Sequence, residues 1–205
     1  MTDMGAIGFV TIEVADTTVA EAFYTAAFEV GSRVRVRASQ APTTGFRGFT
    51  MSLVVSQPAA VNSFIDSALD ACAKVLKPAA KSLWGYGGGV QAPDGTIWTV
   101  ASSSKKDTGP ATRQIDAIVL QLGVTDVAAS KQFYLDHGLT VAKSYGSRYV
   151  ELDTGPIKLT LNKRGALAKT AGVSPDGTGS HRLLIGSDAG AFTDPDGFVW
   201  EAPMD

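Results

Sequence analysis

The chain has 205 residues, 44% of them hydrophobic and 19% charged, with a formal net charge of −2. That balance is too apolar for a disordered chain and offers no basic excess for nucleic acid. No apolar run reaches the length of a membrane span, the N-terminal stretch Met1–Gly8 shows no basic-then-apolar leader, and a single Cys excludes an internal disulfide, so a soluble cytoplasmic protein is expected.

Gly8–Val14 alternates as a strand, with Val10, Ile12 and Val14 on one face and Phe9, Thr11 and Glu13 on the other. Asp16 is placed to cap a helix over residues 17–28, whose stripe is Val19, Ala22, Phe23 and Ala26. Ser32–Arg37 reads as a short exposed strand and Ala38–Arg47, rich in Pro, Thr and Gly, as a loop. Phe49 opens a second unit, in which Met51, Leu53 and Val55 alternate with Thr50, Ser52 and Val54. Pro58 starts a helix, where its missing N–H does no harm, and Val61, Phe64, Ile65, Ala68 and Leu69 form the apolar stripe. Val75–Leu76, a glycine-rich loop from Trp84 to Gly89 and a Pro93-Asp94-Gly95 hairpin turn complete the unit. Ser102–Arg113 has no periodicity and reads as a linker, dividing the chain into 1–103, a link at 104–113, and 114–205.

The pattern then restarts. Ile118, Leu120, Leu122 and Val124 alternate with Val119, Gln121 and Gly123, and Asp126 precedes another helix. Tyr149–Leu152 and Ile157–Leu161 read as a hairpin, Gly165–Gly172 as a short helix and Val173–Ser180 as a loop. His181–Ile185 reads as a last opening strand, which leads to Pro195-Asp196-Gly197 with no room for a helix. The repetition is specific. Phe23-Tyr24 follows Asp16 as Phe133-Tyr134 follows Asp126, the Phe seven residues after the Asp in both. Trp98 and Trp200 hold matching places after the two turns and read as core, which turns Thr99 and Glu201 to the opposite face.

These paired motifs resemble the vicinal oxygen chelate superfamily, which includes glyoxalase, bleomycin-resistance proteins and extradiol dioxygenases. The resemblance implies an α+β fold of repeated βαβββ units whose mixed sheets curl in pairs into cups, here with the last unit lacking its helix. Active members hold a divalent metal in the cup. The resemblance places metal ligands seven residues before the capping Asp and four residues after the hairpin Gly. The corresponding opening-strand positions are Phe9, Thr50, Val119 and His181, and those after the turns are Thr99 and Glu201. Only His181 and Glu201 suit a metal, both from one unit, whereas a catalytic site takes about three protein ligands. No cofactor is therefore expected. The resemblance also implies Gly at Cys72, in a left-handed helix cap. Small members pair as dimers, so four units in one chain imply a monomer or a homodimer.

Three functions compete. A metal-free binding protein, like the bleomycin-resistance proteins, would hold a small molecule in a cup lined by Thr50, Ser52, Gln121, His181 and Glu201, with Trp84 and Tyr86 closing its mouth. A metal-dependent glyoxalase-like lyase, isomerase or dioxygenase would hold a divalent metal at His181 and Glu201 and move a proton with Glu13. A structural or interaction protein would leave the polar strand faces to solvent. The first reading is adopted, with a small-molecule partner, no nucleic acid and no membrane; whether the chain is an enzyme is left open. His137 reads as a contact to its own helix C-terminus, and Cys72, with no base in view, as structural.

Overall fold

The computed structural model describes residues 5–203. Residues 1–4, part of the stretch read for a leader, and residues 204–205 lie outside it. The first half of the chain forms β1 (Ile7–Val14), α1 (Thr17–Ala27), β2 (Val34–Ala38), β3 (Thr43–Gly45), β4 (Phe49–Val54), α2 (Pro58–Asp70), β5 (Lys74–Ser82), β6 (Gly85–Gln91) and β7 (Ile97–Ser102). The second forms β8 (Ala117–Val124), α3 (Val127–Asp136), β9 (Thr140–Ser144), β10 (Tyr149–Asp153), β11 (Ile157–Lys163), α4 (Arg164–Ala171), β12 (Gly177–Gly179), β13 (Leu183–Ser187), β14 (Phe192–Thr193) and β15 (Val199–Glu201). Among the described residues no helix separates β13 from β14, as the short last unit requires.

Local chemistry sets the helix ends. The Asp16 carboxylate accepts from Val19 N at 3.1 Å, and Asp126 accepts from Ala128 N and Ala129 N at 2.9 and 3.1 Å. These bonds satisfy amides that the first helical turn cannot. Pro58 opens α2, but Gln57 before it makes no side-chain cap bond. The cap comes from far along the chain: Asp107 accepts from Ala59 N at 2.6 Å.

The sheets do not follow the linker. β4 and β8 pair antiparallel at the centre of an eight-stranded sheet in the order β5-β6-β7-β4-β8-β11-β10-β9. This sheet joins the second unit to the third. A five-stranded sheet, β14-β15-β13-β1-β2, joins the fourth unit to the first. The helices make the complementary links. Tyr24 on α1 donates to Asp94 in the second unit's turn at 2.5 Å, and Tyr134 on α3 donates to Asp194 in the fourth unit's turn at 2.5 Å. Each Tyr sits beside a fully buried Trp, with ring centroids 5.6 Å apart for Tyr24–Trp98 and 5.3 Å for Tyr134–Trp200. Burial, and then the neighbouring carboxylates, push both phenols well above the ordinary tyrosine range.

Four local expectations change. The glycine-rich stretch after Trp84 is not a loop but strand β6, paired on both sides. Its glycines are needed: a Cβ on Gly88 would meet Ile65 of α2 at 2.8 Å, and one on Gly87 would meet the Val100 carbonyl at 2.9 Å. Val75–Leu76 belongs to a longer edge strand, β5, whose Lys74, Lys77, Pro78 and Lys81 blunt the free edge. The two loops at 38–47 and 173–180 pair with each other through the ribbon β3–β12. Finally, His181 falls before β13 rather than in it, because Arg182 turns left-handed at φ 51°.

The linker is strapped down. Gln57, 2% exposed, donates to the carbonyls of Gly109 and Pro110 and accepts from the amide and hydroxyl of Thr108. Arg113 donates to Ala27 O on α1 and Ser63 O on α2, and lies over the Phe64 ring at 3.9 Å.

Candidate ligand pocket

The eight-stranded sheet buries one face under α2 and α3 and carries a polar face on the other side, part of it covered by α4. Met51, Leu53, Trp98 and Leu120 are fully buried on the helix side. Their neighbours in sequence therefore point the other way. Register sets Thr50 beside Gln121 and Ser52 beside Thr99. The Thr50 hydroxyl, buried under this face, donates to Gln121 Oε1 at 2.9 Å. That bond fixes the amide and leaves its N–H groups unspent among the described hydrogen bonds.

Towards the edge, β6 continues the face with almost no side chains. Gly89 pairs with Thr99, and a Cβ there would meet nothing nearer than Thr99 Cγ2 at 3.6 Å. Lys77 on β5 pairs with Gly89 and shares its face. Together Ser52, Thr99, Gln121, Gly89, Lys77 and Lys81 line a cavity of about 290 Å³, with Thr170 of α4 at one end. No carboxylate, His or Cys is in its lining. A larger groove, about 480 Å³, runs between α1 and β2 over Tyr24, Val30 and Val34. It lies off the polar sheet face, and the Arg35 at its edge is already stacked on Phe9 at 3.6 Å, so the sheet cavity is the stronger site.

The structure divides the residues singled out from the sequence. Thr50, Ser52 and Gln121 come together on the eight-stranded sheet. Trp84 reaches the cavity wall but is 85% exposed at the tip of the β5–β6 hairpin, beside Leu83. Tyr86 also borders the cavity, but its ring does not lie over the mouth. Strand alternation turns it to the helix side, where its hydroxyl donates to Asn62 of α2 at 2.9 Å. Glu13 and Glu201 belong to the five-stranded sheet, where Arg37 lies between them, 2.8 Å from Glu13 and 3.8 Å from Glu201. His181 stands at the seam of the two sheets. One ring nitrogen meets Arg47 O at 2.5 Å, the other meets Asp196 O at 2.9 Å, and the ring stacks on Phe198 at 3.9 Å.

These contacts decide whether a divalent metal fits. Both nitrogens of His181 are occupied by carbonyls and Glu201 faces a guanidinium, so this pair does not form a metal site. At the centre of the eight-stranded sheet the donors are Thr50, Ser52, Thr99 and Gln121, which are neutral and hard, and poor company for a catalytic divalent ion. Among the described residues no three of His, Cys, Asp and Glu converge. The residues present do not fit the divalent metal that the resemblance implied.

His137 caps α3, its Nδ1 2.8 Å from Phe133 O. Cys72 is exposed and left-handed, at φ 75°. Across the sheet, Tyr149 beside Glu151 is pushed up to about 12, first by burial and then by the carboxylate. Sequence reading took the glycine stretch for a loop at the pocket's mouth and passed over Lys77 and Lys81. The signal was present as a period of two, Tyr86, Gly88 and Val90 against Gly85, Gly87 and Gly89, but glycine hides alternation because it has no side chain to classify.

This arrangement has known counterparts. A V278E mutant of glyoxalase I from Zea mays superposes with a TM-score of 0.63 at 16% identity, covering 96% of this chain and 91% of that one. Unmutated Zea mays glyoxalase I gives 0.62 at 14% identity over the same shares. A proposed dioxygenase from Bacillus subtilis gives 0.62 at 10% identity, covering 98% of this chain and 86% of that one. No protein-family model matches the sequence, and no curated protein matches it. At these identities the likeness is one of architecture: the chain has the vicinal oxygen chelate fold, a mixed α+β structure of curled sheets.

Proposed function

We infer that the chain is a small-molecule-binding protein whose site is the polar face of the eight-stranded sheet. One observation carries the reading: the cavity has hydrogen-bonding groups on its floor, Ser52, Thr99 and Gln121, and no carboxylate, His or Cys in its lining. Such a pocket can hold and orient a ligand. The lyase or dioxygenase reading needs His181, Glu201 and Glu13, and all three are engaged elsewhere. A volume of about 290 Å³ suits a small ligand.

The test uses a small-compound library read by ligand-observed NMR. Gly89→Leu projects a side chain into the cavity where the backbone is neither left-handed nor crowded. Hits should bind the wild type and Glu201→Gln alike and lose binding in Gly89→Leu. Hits that bind Gly89→Leu as well as wild type place the site elsewhere and refute the reading.

A further inference from the structure

Residues 71–93, which include the whole β5–β6 hairpin, carry Lys74, Lys77 and Lys81 and no Asp or Glu, in a chain whose net charge is −2. Lys77 and Lys81 border the cavity and are its only fully charged side chains; Lys77 shares the face of Gly89, whereas Lys81 pairs with Tyr86 and starts from the other side of the strand. Among the described residues neither has a carboxylate within ion-pair distance, whereas Lys158, farther across the same face, is matched by Glu151 at 3.8 Å. The field over the cavity is therefore positive and uncompensated at one end.

Shape adds a second constraint. Between Lys77 and Thr99 the floor is β6, bare at Gly87 and Gly89. From β5 to β7 is two strand spacings, about 10 Å. A floor of that length without side chains accepts a flat body two rings long. Beyond it, Ser52 and Gln121 offer hydrogen bonds at the far end.

We propose that the ligand is a flat organic anion, its ring system on the glycine strip and its oxyanion at Lys77. This rests on the reading of the cavity as the binding site. Lys77 keeps contact with solvent, so its attraction is moderate and screened by salt.

The test compares 2-naphthoate with its neutral isostere 2-naphthamide, each titrated against the full chain at low and high salt, with tryptophan fluorescence and calorimetry as readouts. Naphthoate should bind about threefold more tightly at low salt, as expected for one exposed charge. High salt should shrink that preference. The variant Lys77→Gln should bring naphthoate down to the level of naphthamide, and Gly89→Leu should block both probes. Equal binding of the two probes to wild type, or a preference that survives in Lys77→Gln, overturns the anion assignment and leaves the pocket standing. Undiminished binding of both to Gly89→Leu overturns the pocket itself. Absence of saturable binding by either probe at millimolar concentration overturns both.

Discussion

Replacing Cys72 with glycine should make the protein more stable. α2 ends in a paired-bond cap: Cys72 N donates to Leu69 O at 3.0 Å and Ala73 N to Ala68 O at 2.9 Å. α3 ends the same way, with Gly138 N to Leu135 O at 3.0 Å and Leu139 N to Tyr134 O at 3.0 Å. Both caps need a left-handed residue, at φ 75° for Cys72 and φ 85° for Gly138. The second unit thus sets a side chain where the third has none.

The size of the gain follows from two opposing terms. Holding an L-residue left-handed costs about 1–2 kcal/mol. Glycine removes that cost but gains freedom in the unfolded chain, which returns about 0.5–1 kcal/mol. The net gain is about 0.5–1 kcal/mol, or about 1–4 °C in Tm for a chain of this length. Cys72 is exposed, so no packing is lost with its side chain. Urea unfolding under reducing conditions, followed by tryptophan fluorescence, measures the difference. Cys72→Ala keeps the Cβ and should stay near wild type, while Gly138→Ala should lose about as much as Cys72→Gly gains. If Cys72→Ala stabilises as much as Cys72→Gly, the thiol rather than the backbone is responsible and the reasoning fails.

The Tyr–Asp contacts make alkaline pH a probe of the fold. A group whose folded pKa lies above its unfolded value adds stability that is complete below the unfolded value, about 10 for tyrosine, and is lost as pH rises through the folded one. Tyr24 and Tyr134 should therefore stay silent at 295 nm while the protein is native, and ionise only as it unfolds above about pH 10; a normal titration of all five tyrosines before unfolding would contradict this. Gln57→Ala removes the strap on residues 108–110, so trypsin should cut after Lys105 and Lys106 faster than in wild type. An unchanged cleavage rate would mean that Arg113 and the Asp107 cap suffice to hold the linker.

What the sequence made legible was local. Asp16 and Asp126 mark helix starts because a short carboxylate beside free amides needs no tertiary partner. Pro-Asp-Gly marks a turn for the same kind of reason. Alternation told which residues share a face: Ser52 and Gln121 line one cavity, while Thr50, on the same face, is buried against Gln121. Alternation does not tell which strand lies next door. His181 was grouped with that cup because its place in the repeat matched, yet its partners are Arg47 O and Asp196 O, far apart in sequence and both backbone atoms. No side-chain pattern announces a carbonyl. The strap at Gln57 was invisible for the same reason, since three of its four bonds go to backbone groups of the linker.

The two kinds of link explain why the pocket takes residues from both sides of the linker. Tyr24–Asp94 and Tyr134–Asp194 tie neighbouring units together, first to second and third to fourth. The sheets tie first to fourth and second to third. Each unit is thus held by one neighbour through its helix or turn and by another through its strands. Ser52 comes before residues 104–113 and Gln121 after them, and only the β4–β8 pairing brings them together. The same pairing joins the first and fourth units on the other sheet, where β1 and β13 meet antiparallel. There the face is filled by the protein's own side chains: Phe9 lies over Gly186, whose Cβ would meet the ring at 2.3 Å, Arg35 covers Phe9, and Arg37 joins Glu13 to Glu201. One architecture is used twice, and the difference between a closed face and an open one lies in Phe9, Arg35 and Arg37 on one sheet against Gly87 and Gly89 on the other.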